Sequence, residues 1–130
     1  MSLVRELALV AAGGAIGASC RHLVGVAAFK LIGPGFPFGT LIANVVGCFA
    51  MGVLVEMLAL KFHAGQEIRL FLATGLLGGF TTFSAFSLDF ATLVERGHAV
   101  QAGSYLLASV FLSILALFAG LHLTRSILVA

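Results

Sequence analysis

The sequence predicts an all-α integral membrane protein with four transmembrane helices, and two observations predict this class. Apolar residues make up 61% of the chain and charged residues only 9%, whereas soluble domains carry about 25% charged residues. The apolar residues also fall into four long segments, and a membrane-spanning helix needs roughly 20 mostly apolar residues. A chain of 130 residues therefore holds four spans and short loops, with no room for a separate soluble domain.

The four predicted spans form one transmembrane domain that covers residues 1–130. Their bounds are about 7–29, 38–60, 68–94 and 99–124. The connections between them are turn-length, and the first contains Pro34, Gly35 and Pro37. The first span is too long for the apolar core of a signal peptide, and no clear small-residue cleavage site follows it. We expect this span to remain in the mature protein.

The remaining composition argues against an enzyme and against nucleic-acid binding. Cys20 and Cys48 fall inside predicted spans without a C-x-x-C pair, and we interpret them as small packing residues. The histidines are scattered toward segment ends, at His22, His63, His98 and His122. A formal charge of +2 is too small and too dispersed to attract nucleic acid. No nucleophile, base or metal cluster is visible in the sequence.

Charge placement leaves the membrane orientation open. With four helices, both termini lie on the same side of the membrane as the second loop. This side carries Arg5, Lys61, Arg69 and Arg125, and the other side carries Lys30 and Arg96, with Arg21 nearby. This is a weak bias under the positive-inside rule. One interpretation is a single orientation. The other is insertion both ways and pairing of two inverted copies, as in the inverted repeats of larger transporters.

Size favours a dimer, because four helices can hardly enclose a protected polar path alone. The first two helices also carry small residues that let membrane helices approach closely. These are Gly13, Gly14, Gly17 and Ala18 on the first helix, and Gly47 and Gly52 on the second. We interpret them as close-packing positions.

Polar residues at membrane depth are the informative ones, because each is costly unless it is paired or faces water. On the second helix Thr40 and Asn44 lie four residues apart and share a face. The amide of Asn44 offers two donors and an acceptor without charge. This amide is suited to a structural hydrogen bond between helices and, equally, to binding a small anion along a path.

The third apolar segment contains a glycine-rich and hydroxyl-rich stretch at residues 75–87. Glycine costs about 1 kcal/mol in a helix interior, and Thr and Ser can satisfy backbone groups that an unwound helix releases. We therefore predict a broken third helix near the bilayer midplane. Its free carbonyls are hard oxygen ligands for a small cation.

Two aromatic residues, Phe83 and Phe86, flank Ser84 within this stretch. Packing is one interpretation of the pair, and the other is that the positive ring edges face an anion. On the fourth helix Tyr105, Ser109 and Ser113 follow the i, i+4, i+8 spacing of one stripe. This stripe predicts a polar track for ions or water, with hydrogen bonding between helices as the alternative.

Together these residues resemble the Fluc (CrcB) family of small bacterial fluoride channels, over essentially the whole chain. The matching segments are Gly13-Gly14-x-x-Gly17-Ala18-x-x-Arg21, Gly39-Thr40-Leu41-x-x-Asn44-x-x-Gly47 and Gly78-Gly79-Phe80-Thr81-Thr82-Phe83-Ser84-x-Phe86-Ser87. The resemblance implies an antiparallel, dual-topology homodimer in the bacterial inner membrane. It implies two fluoride pores that export cytoplasmic fluoride passively, and a structural sodium ion at the dimer interface.

The resemblance also implies roles for individual residues. Backbone carbonyls of Gly78 and Thr81 would bind sodium, and Arg21 would make an aqueous vestibule attractive to anions. The expected fluoride-pore residues are Thr40, Asn44, Phe83, Ser84, Phe86, Tyr105, Ser109 and Ser113. His22 and Asp89 depart from the aromatic residue and the glutamate that are usual in the family, and they put the vestibules and their hydrogen bonding in doubt.

Two other functions remain as alternatives at this point. One is a proton-coupled exporter of the small multidrug type, which needs a membrane-embedded acid. The first helix has only Glu6, at its start, while Glu56 and Asp89 lie nearer segment ends. The other is a membrane assembly protein that transports nothing, in which the polar residues only pack and bond.

Overall fold

The computed structural model describes residues 2–62 and 65–129, and between turns these are helical. Its elements are α1 (Leu3–Leu31), α2 (Phe38–Met57) with a π-helical continuation (Leu58–Phe62), α3 (Gln66–Ile68), a second π-helical segment (Arg69–Leu77), α4 (Gly78–Phe80), α5 (Phe83–Glu95) and α6 (Ala99–Val129). Residues 63 and 64 of the predicted second loop, including His63, lie outside the described residues.

Four helical stretches are long and apolar enough to cross a membrane. They are Leu3–Leu31, Phe38–Leu60, Gln66–Glu95 and Ala99–Val129, called here the first to fourth spans. The prediction of an all-α chain with four membrane-spanning helices is confirmed. Large apolar side chains such as Phe111 and Leu115 lie exposed on the outside of α6, where lipid tails are as apolar as they are.

Local chemistry explains where these helices begin and end. Ser2 caps α1, because its side chain accepts a hydrogen bond from the Arg5 N–H at 3.2 Å. After α5, Gly97 adopts a positive φ of 82°, and its N–H donates to the carbonyl of Val94 at 3.1 Å while His98 donates to Leu93 at 2.9 Å. This pair of bonds is a Schellman motif. It turns the chain into α6 within three residues.

Close glycine contacts hold the spans together in two seams. In the first, between α1 and the third span, a methyl group added to Gly13 would lie 3.0 Å from the Cα of Gly75. In the second, between α2 and α6, a methyl group on Gly120 would lie 3.2 Å from the Cα of Gly52. At both positions the added methyl group would come still closer to a backbone nitrogen, 2.8 Å from that of Leu76 and 2.9 Å from that of Val53. Real Cβ atoms essentially never come that close, so these seams require glycine. The close-packing interpretation of Gly13, Gly17, Gly47 and Gly52 is confirmed.

The most buried part of the chain lies where α2, α5 and α6 meet. Ala43 of α2 and Tyr105 of α6 are each 0% exposed. Phe86 and Leu93 of α5 belong to the same cluster as Tyr105. A tyrosine hydroxyl at the centre of an apolar cluster needs a polar partner, and that partner belongs to the site described next.

Candidate functional site

The third span is interrupted by two residues of extended backbone. α4 ends at Phe80, Thr81 has φ −88° and ψ 155°, and Thr82 has φ −153° and ψ 128°. α5 then begins at Phe83, with the Thr82 side chain accepting a hydrogen bond from the Ala85 N–H at 3.1 Å. Threonine is a favoured residue at this capping position. The chain thus leaves one helix and starts another within two residues, which we call the extended step.

Asn44 of α2 bonds to the backbone of the extended step from across the helix interface. Its Nδ2 donates to the Thr82 carbonyl at 2.9 Å, and its Oδ1 accepts from the Thr82 N–H at 2.7 Å. The side-chain amide therefore replaces the partners that Thr82 would have had in a continuous helix. Of the two interpretations that the sequence left open, the structure contains the hydrogen bond between helices. One of the two amide protons remains for a ligand.

Two other side chains bond to carbonyls just before the step. The Thr81 hydroxyl and the Thr81 N–H both lie 3.0 Å from the Leu77 carbonyl oxygen. Arg21 of α1 donates from Nε to the Gly79 carbonyl at 3.2 Å. Neither these bonds nor those of Asn44 use the carbonyl oxygens of Gly78 or Thr81.

Arg21 also lines a cavity of about 390 Å³ between α1 and the start of α2. His22, Lys30 and Thr40 line the same cavity. Three of these four side chains carry or can acquire positive charge, so the cavity is suited to attract anions. His22, the first departure from the family pattern, lies here beside Arg21.

The aromatic residues of the step form a continuous row into the core. The ring centroids of Phe83 and Phe86 are 5.4 Å apart, and those of Phe86 and Tyr105 are 5.3 Å apart. Phe83 is 77% exposed in the single chain, whereas Phe86 is 6% exposed. The row therefore runs from the outside of the chain to the buried tyrosine.

The Tyr105 hydroxyl donates to a carboxylate oxygen of Asp89 at 3.0 Å. Thr40 and Ser109 are further polar neighbours of this hydroxyl. Asp89 and Thr40 also line a cavity of about 440 Å³ beneath the first loop, together with Arg96 and His98. Tyr105 thus lies between that outer cavity and Ser109. Asp89, the second departure from the family pattern, supplies the acceptor that the buried tyrosine needs.

A second cavity of about 440 Å³ brings most of the predicted site residues together. It is lined by Asn44, Cys48, Gly78, Thr81, Thr82, Phe83, Phe86, Ser109, Val110, Ser113 and Ile114. We call it the central cavity. None of these lining side chains is charged. Of the predicted residues, Thr40, Ser84, Tyr105 and Arg21 lie outside it, and the exposed Ser84 places its hydroxyl 3.2 Å from that of Thr82.

Two hydroxyls of the central cavity lack hydrogen-bond partners. The Oγ atoms of Ser109 and Ser113 are both buried, and neither has a partner among the described residues. Tyr105 and Cys48 are their respective polar neighbours, but the contacts do not have hydrogen-bond geometry. Buried hydroxyls are normally paired. The cavity therefore presents two donors without a protein acceptor.

Two polar pairs between helices were not predicted from the sequence. From the sequence Asp89 was a departure from the family pattern and an acid near a segment end, although its position three residues after Phe86 places it on the same face of α5. Glu56 of α2 is 8% exposed and accepts two bonds from Arg125 of α6, Nε to Oε1 at 3.0 Å and Nη2 to Oε2 at 3.2 Å. The sequence signal that could have predicted the Glu56–Arg125 pair is one acidic and one basic residue at the same end of neighbouring spans.

Fold and site together define a multi-pass membrane protein with an uncharged, hydroxyl-lined cavity at membrane depth. Among the residues that the structure describes, no group of three or more His, Cys, Asp or Glu side chains could hold a metal ion. A family model described as CrcB-like protein, Camphor Resistance (CrcB), matches residues 8–121. The chain belongs to this family.

Curated relatives agree with the family match over nearly the full chain. A Chelativorans sp. protein is 64% identical over 123 residues, 95% of this chain and 98% of that protein. A Rhizobium etli protein is 59% identical over 119 residues, 92% and 95% of the two chains, and one from Agrobacterium fabrum is 56% identical over 122 residues, 94% and 98%. Each of the three is named Fluoride-specific ion channel FluC.

Proposed function

We propose that this protein is a fluoride-selective ion channel that conducts passively across the membrane. The central cavity carries the proposal, because among the described residues it joins two unpartnered buried hydroxyls to an aromatic row and has no charged side chain in its lining. The names of the relatives support fluoride as the ion. Passive conduction needs no residue that couples ion movement to an energy source.

The hydroxyls of Ser109 and Ser113 are suited to replace the water of a small anion. Fluoride is strongly hydrated, and a conducting site must bind it well enough to admit it and weakly enough to release it. Neutral O–H donors in a buried setting meet both demands, because they bind the anion without a fixed charge that would trap it. The free amide proton of Asn44 adds a third donor on the same cavity. Thr40, Ser84 and Tyr105 extend the polar path beyond it.

The aromatic rings of Phe83 and Phe86 supply the other wall of the path. The edge of a phenyl ring is electropositive, so a ring turned edge-on stabilises a desolvated anion. Such walls leave little room and offer few donors, so we expect them to discriminate against larger chloride. Arg21 then acts outside the narrow part, as a charge that concentrates anions in its vestibule.

A second copy of the chain would cover the open side of the central cavity. Phe83 is 77% exposed in the single chain, and Gly78, which lines the same cavity, is also exposed. An antiparallel homodimer would close two such cavities and form two pores. The weak charge bias between the two sides of the membrane favours this arrangement, because both orientations of the chain become accessible.

A sodium ion fits between the extended steps of such a dimer. Sodium is a hard cation that is suited to oxygen ligands, and the hydrogen bonds of Arg21, Asn44 and Thr81 leave the carbonyls of Gly78 and Thr81 unused. Two carbonyls from each chain would supply four ligands. A bound cation would join the two steps and hold the chains together.

We place the channel in the bacterial inner membrane, where it would export cytoplasmic fluoride and relieve fluoride toxicity. Hydrogen fluoride crosses lipid as a neutral molecule and ionises inside the cell. The negative interior potential then drives the anion outward through a passive channel, at about 2.3 kcal/mol per 100 mV. The electrochemical gradient of fluoride alone would set the direction of flow.

Fluoride efflux from liposomes that hold the purified protein tests the proposal. We expect fast efflux of fluoride, little efflux of chloride, and no dependence on a pH gradient. Proton-dependent flux would instead indicate an exporter, and a folded dimer without flux would indicate an assembly protein. Phe83→Ile should lower fluoride efflux, while Phe111→Ile on the exposed side of α6 should not. Equal efflux in both variants would contradict the role of the aromatic row.

A further inference from the structure

We propose that the thiol of Cys48 lines the anion path and is a further ion-contacting group, one helical turn beyond Asn44. The inference rests on the proposed channel function and adds to it a residue from α2 that faces the serine stripe. From the sequence alone, Cys48 was interpreted as a packing residue. Its place in the central cavity points to a second role.

Two pairs of side chains face each other across this cavity. Asn44 and Cys48 lie four residues apart on α2, and Ser109 and Ser113 lie four residues apart on α6. Residues at this spacing stack on one face of a helix, and all four line the central cavity. The path between α2 and α6 therefore has two levels. Asn44 contributes to the first level and Cys48 to the second.

The unpartnered hydroxyls show that this cavity is built for an occupant. Ser109 is 6% exposed, its Oγ is buried, and it has no hydrogen-bond partner among the described residues. The Oγ of Ser113 is in the same state, although the Cys48 thiol is its polar neighbour. Leaving a buried donor unpaired is costly. An anion at the second level would accept from the Ser113 hydroxyl and from the thiol.

The chemistry of the thiol explains what it would contribute there. A thiol is a weaker hydrogen-bond donor than a hydroxyl, so a level that combines one thiol with one hydroxyl holds an anion less tightly than two hydroxyls would. Sites that release an ion readily keep it moving to the next one. Cys48 thus favours release and limits the space beside the anion.

The chain contains its own control for a test by thiol chemistry. Cys20 is exposed on α1 and is absent from the lining of the central cavity. A Cys20→Ala protein leaves Cys48 as the single thiol, and a Cys20→Ala/Cys48→Ala protein has none. The probe is methyl methanethiosulfonate, a small neutral reagent. The thiolate displaces methanesulfinate from it and forms a mixed disulfide that carries one methylthio group.

Fluoride efflux is measured from liposomes before and after this reagent. We expect Cys20→Ala to conduct like the unmodified protein and to lose about tenfold or more of its efflux when methylthio occupies the path. Dithiothreitol should restore it, saturating fluoride should slow the labelling, and the protein without cysteine should not respond. Full labelling by mass spectrometry with unchanged efflux would overturn the inference. A path that admits fluoride and rejects chloride is narrower than the reagent, so an unlabelled Cys48 leaves the decision to the Cys48→Val variant, which needs no reagent.

A second variant separates lining from packing without any reagent. Cys48→Val keeps a similar volume, which a packing position tolerates, but removes the S–H donor. We expect a folded dimer with efflux reduced several-fold, whereas Cys48→Ser should conduct and resist the reagent. Efflux of Cys48→Val equal to that of the parent would overturn the role of Cys48 and leave the channel function intact. If the parent itself shows no fluoride efflux, the channel function fails and this inference fails with it.

Discussion

Replacing Asn44 with alanine should loosen the extended step more than any other single truncation in the central cavity. The change removes both hydrogen bonds to the Thr82 backbone, at 2.7 and 2.9 Å. A buried backbone group without a partner costs about 1–3 kcal/mol, so two such groups cost about 2–6 kcal/mol. Thr82 is half-buried, so water can pair part of what is lost. We therefore expect the lower part of this range, about 2–3 kcal/mol.

Amide hydrogen exchange of the purified protein in lipid nanodiscs measures this effect directly. The Thr82 N–H is the donor to Asn44, so its exchange rate reports the opening of that bond. A loss of about 2–3 kcal/mol corresponds to roughly 30- to 150-fold faster exchange. Fluoride efflux should fall in the same variant, because the step no longer holds Phe83 in place.

Two further variants at the same site serve as controls. Asn44→Asp keeps an oxygen acceptor for the Thr82 N–H and loses only the donor, so its exchange rate should lie between those of the parent and Asn44→Ala. Thr40→Ala, one turn earlier on α2, has no bond to Thr82 and should leave its exchange unchanged. An Asn44→Ala protein with normal exchange at Thr82 would refute the reasoning, since the step would then hold its shape without the amide.

Three other predictions concern the seams, the buried tyrosine and the vestibule. Gly120→Ala should destabilise the protein by about 1–3 kcal/mol, because the added methyl group meets the backbone of α2. Gly103→Ala on the same helix should not, because its methyl group meets nothing within 4 Å. Unfolding in mixed micelles compares the stability of the two variants. Tyr105→Phe leaves the Asp89 carboxylate without its donor and should lower both stability, by about 1–3 kcal/mol, and efflux; equal melting temperatures would contradict it. Arg21→Gln should reduce efflux most at low ionic strength, because salt screens long-range attraction, and a deficit that persists at high salt would contradict a steering role.

Several features of the fold follow from local chemistry, and these were predictable. A run of apolar residues about 20 long favours a spanning helix whatever its neighbours are, so the four spans can be read from the sequence. Gly13 and Gly52 likewise predicted close helix approach. A residue without a side chain lets a neighbouring helix come near in any packing. The i, i+4 spacing of Ser109 and Ser113 placed them on one face because helix geometry is regular.

The partners of polar groups were not predictable in the same way. Asn44 was equally suited to a structural bond and to an anion, because the sequence does not say which backbone group lies opposite an amide. The Glu56 and Arg125 pair joins residues 69 positions apart, and no local pattern connects them. Asp89 became the acceptor for Tyr105 only because α5 and α6 pack side by side.

By itself the sequence determined that this protein is an all-α membrane protein with four spans. It also identified the hydroxyl-bearing residues that lipid would otherwise exclude, and the phenylalanines that lie close to them in the sequence. Those conclusions rest on transfer free energy and helix periodicity, which act on each segment separately. The tertiary structure decided which of these residues meet. It brought Asn44 to the backbone of Thr82, left Ser109 and Ser113 without a partner among the described residues, and placed Cys48 on the same cavity. Such contacts depend on how the helices pack and not on any one helix.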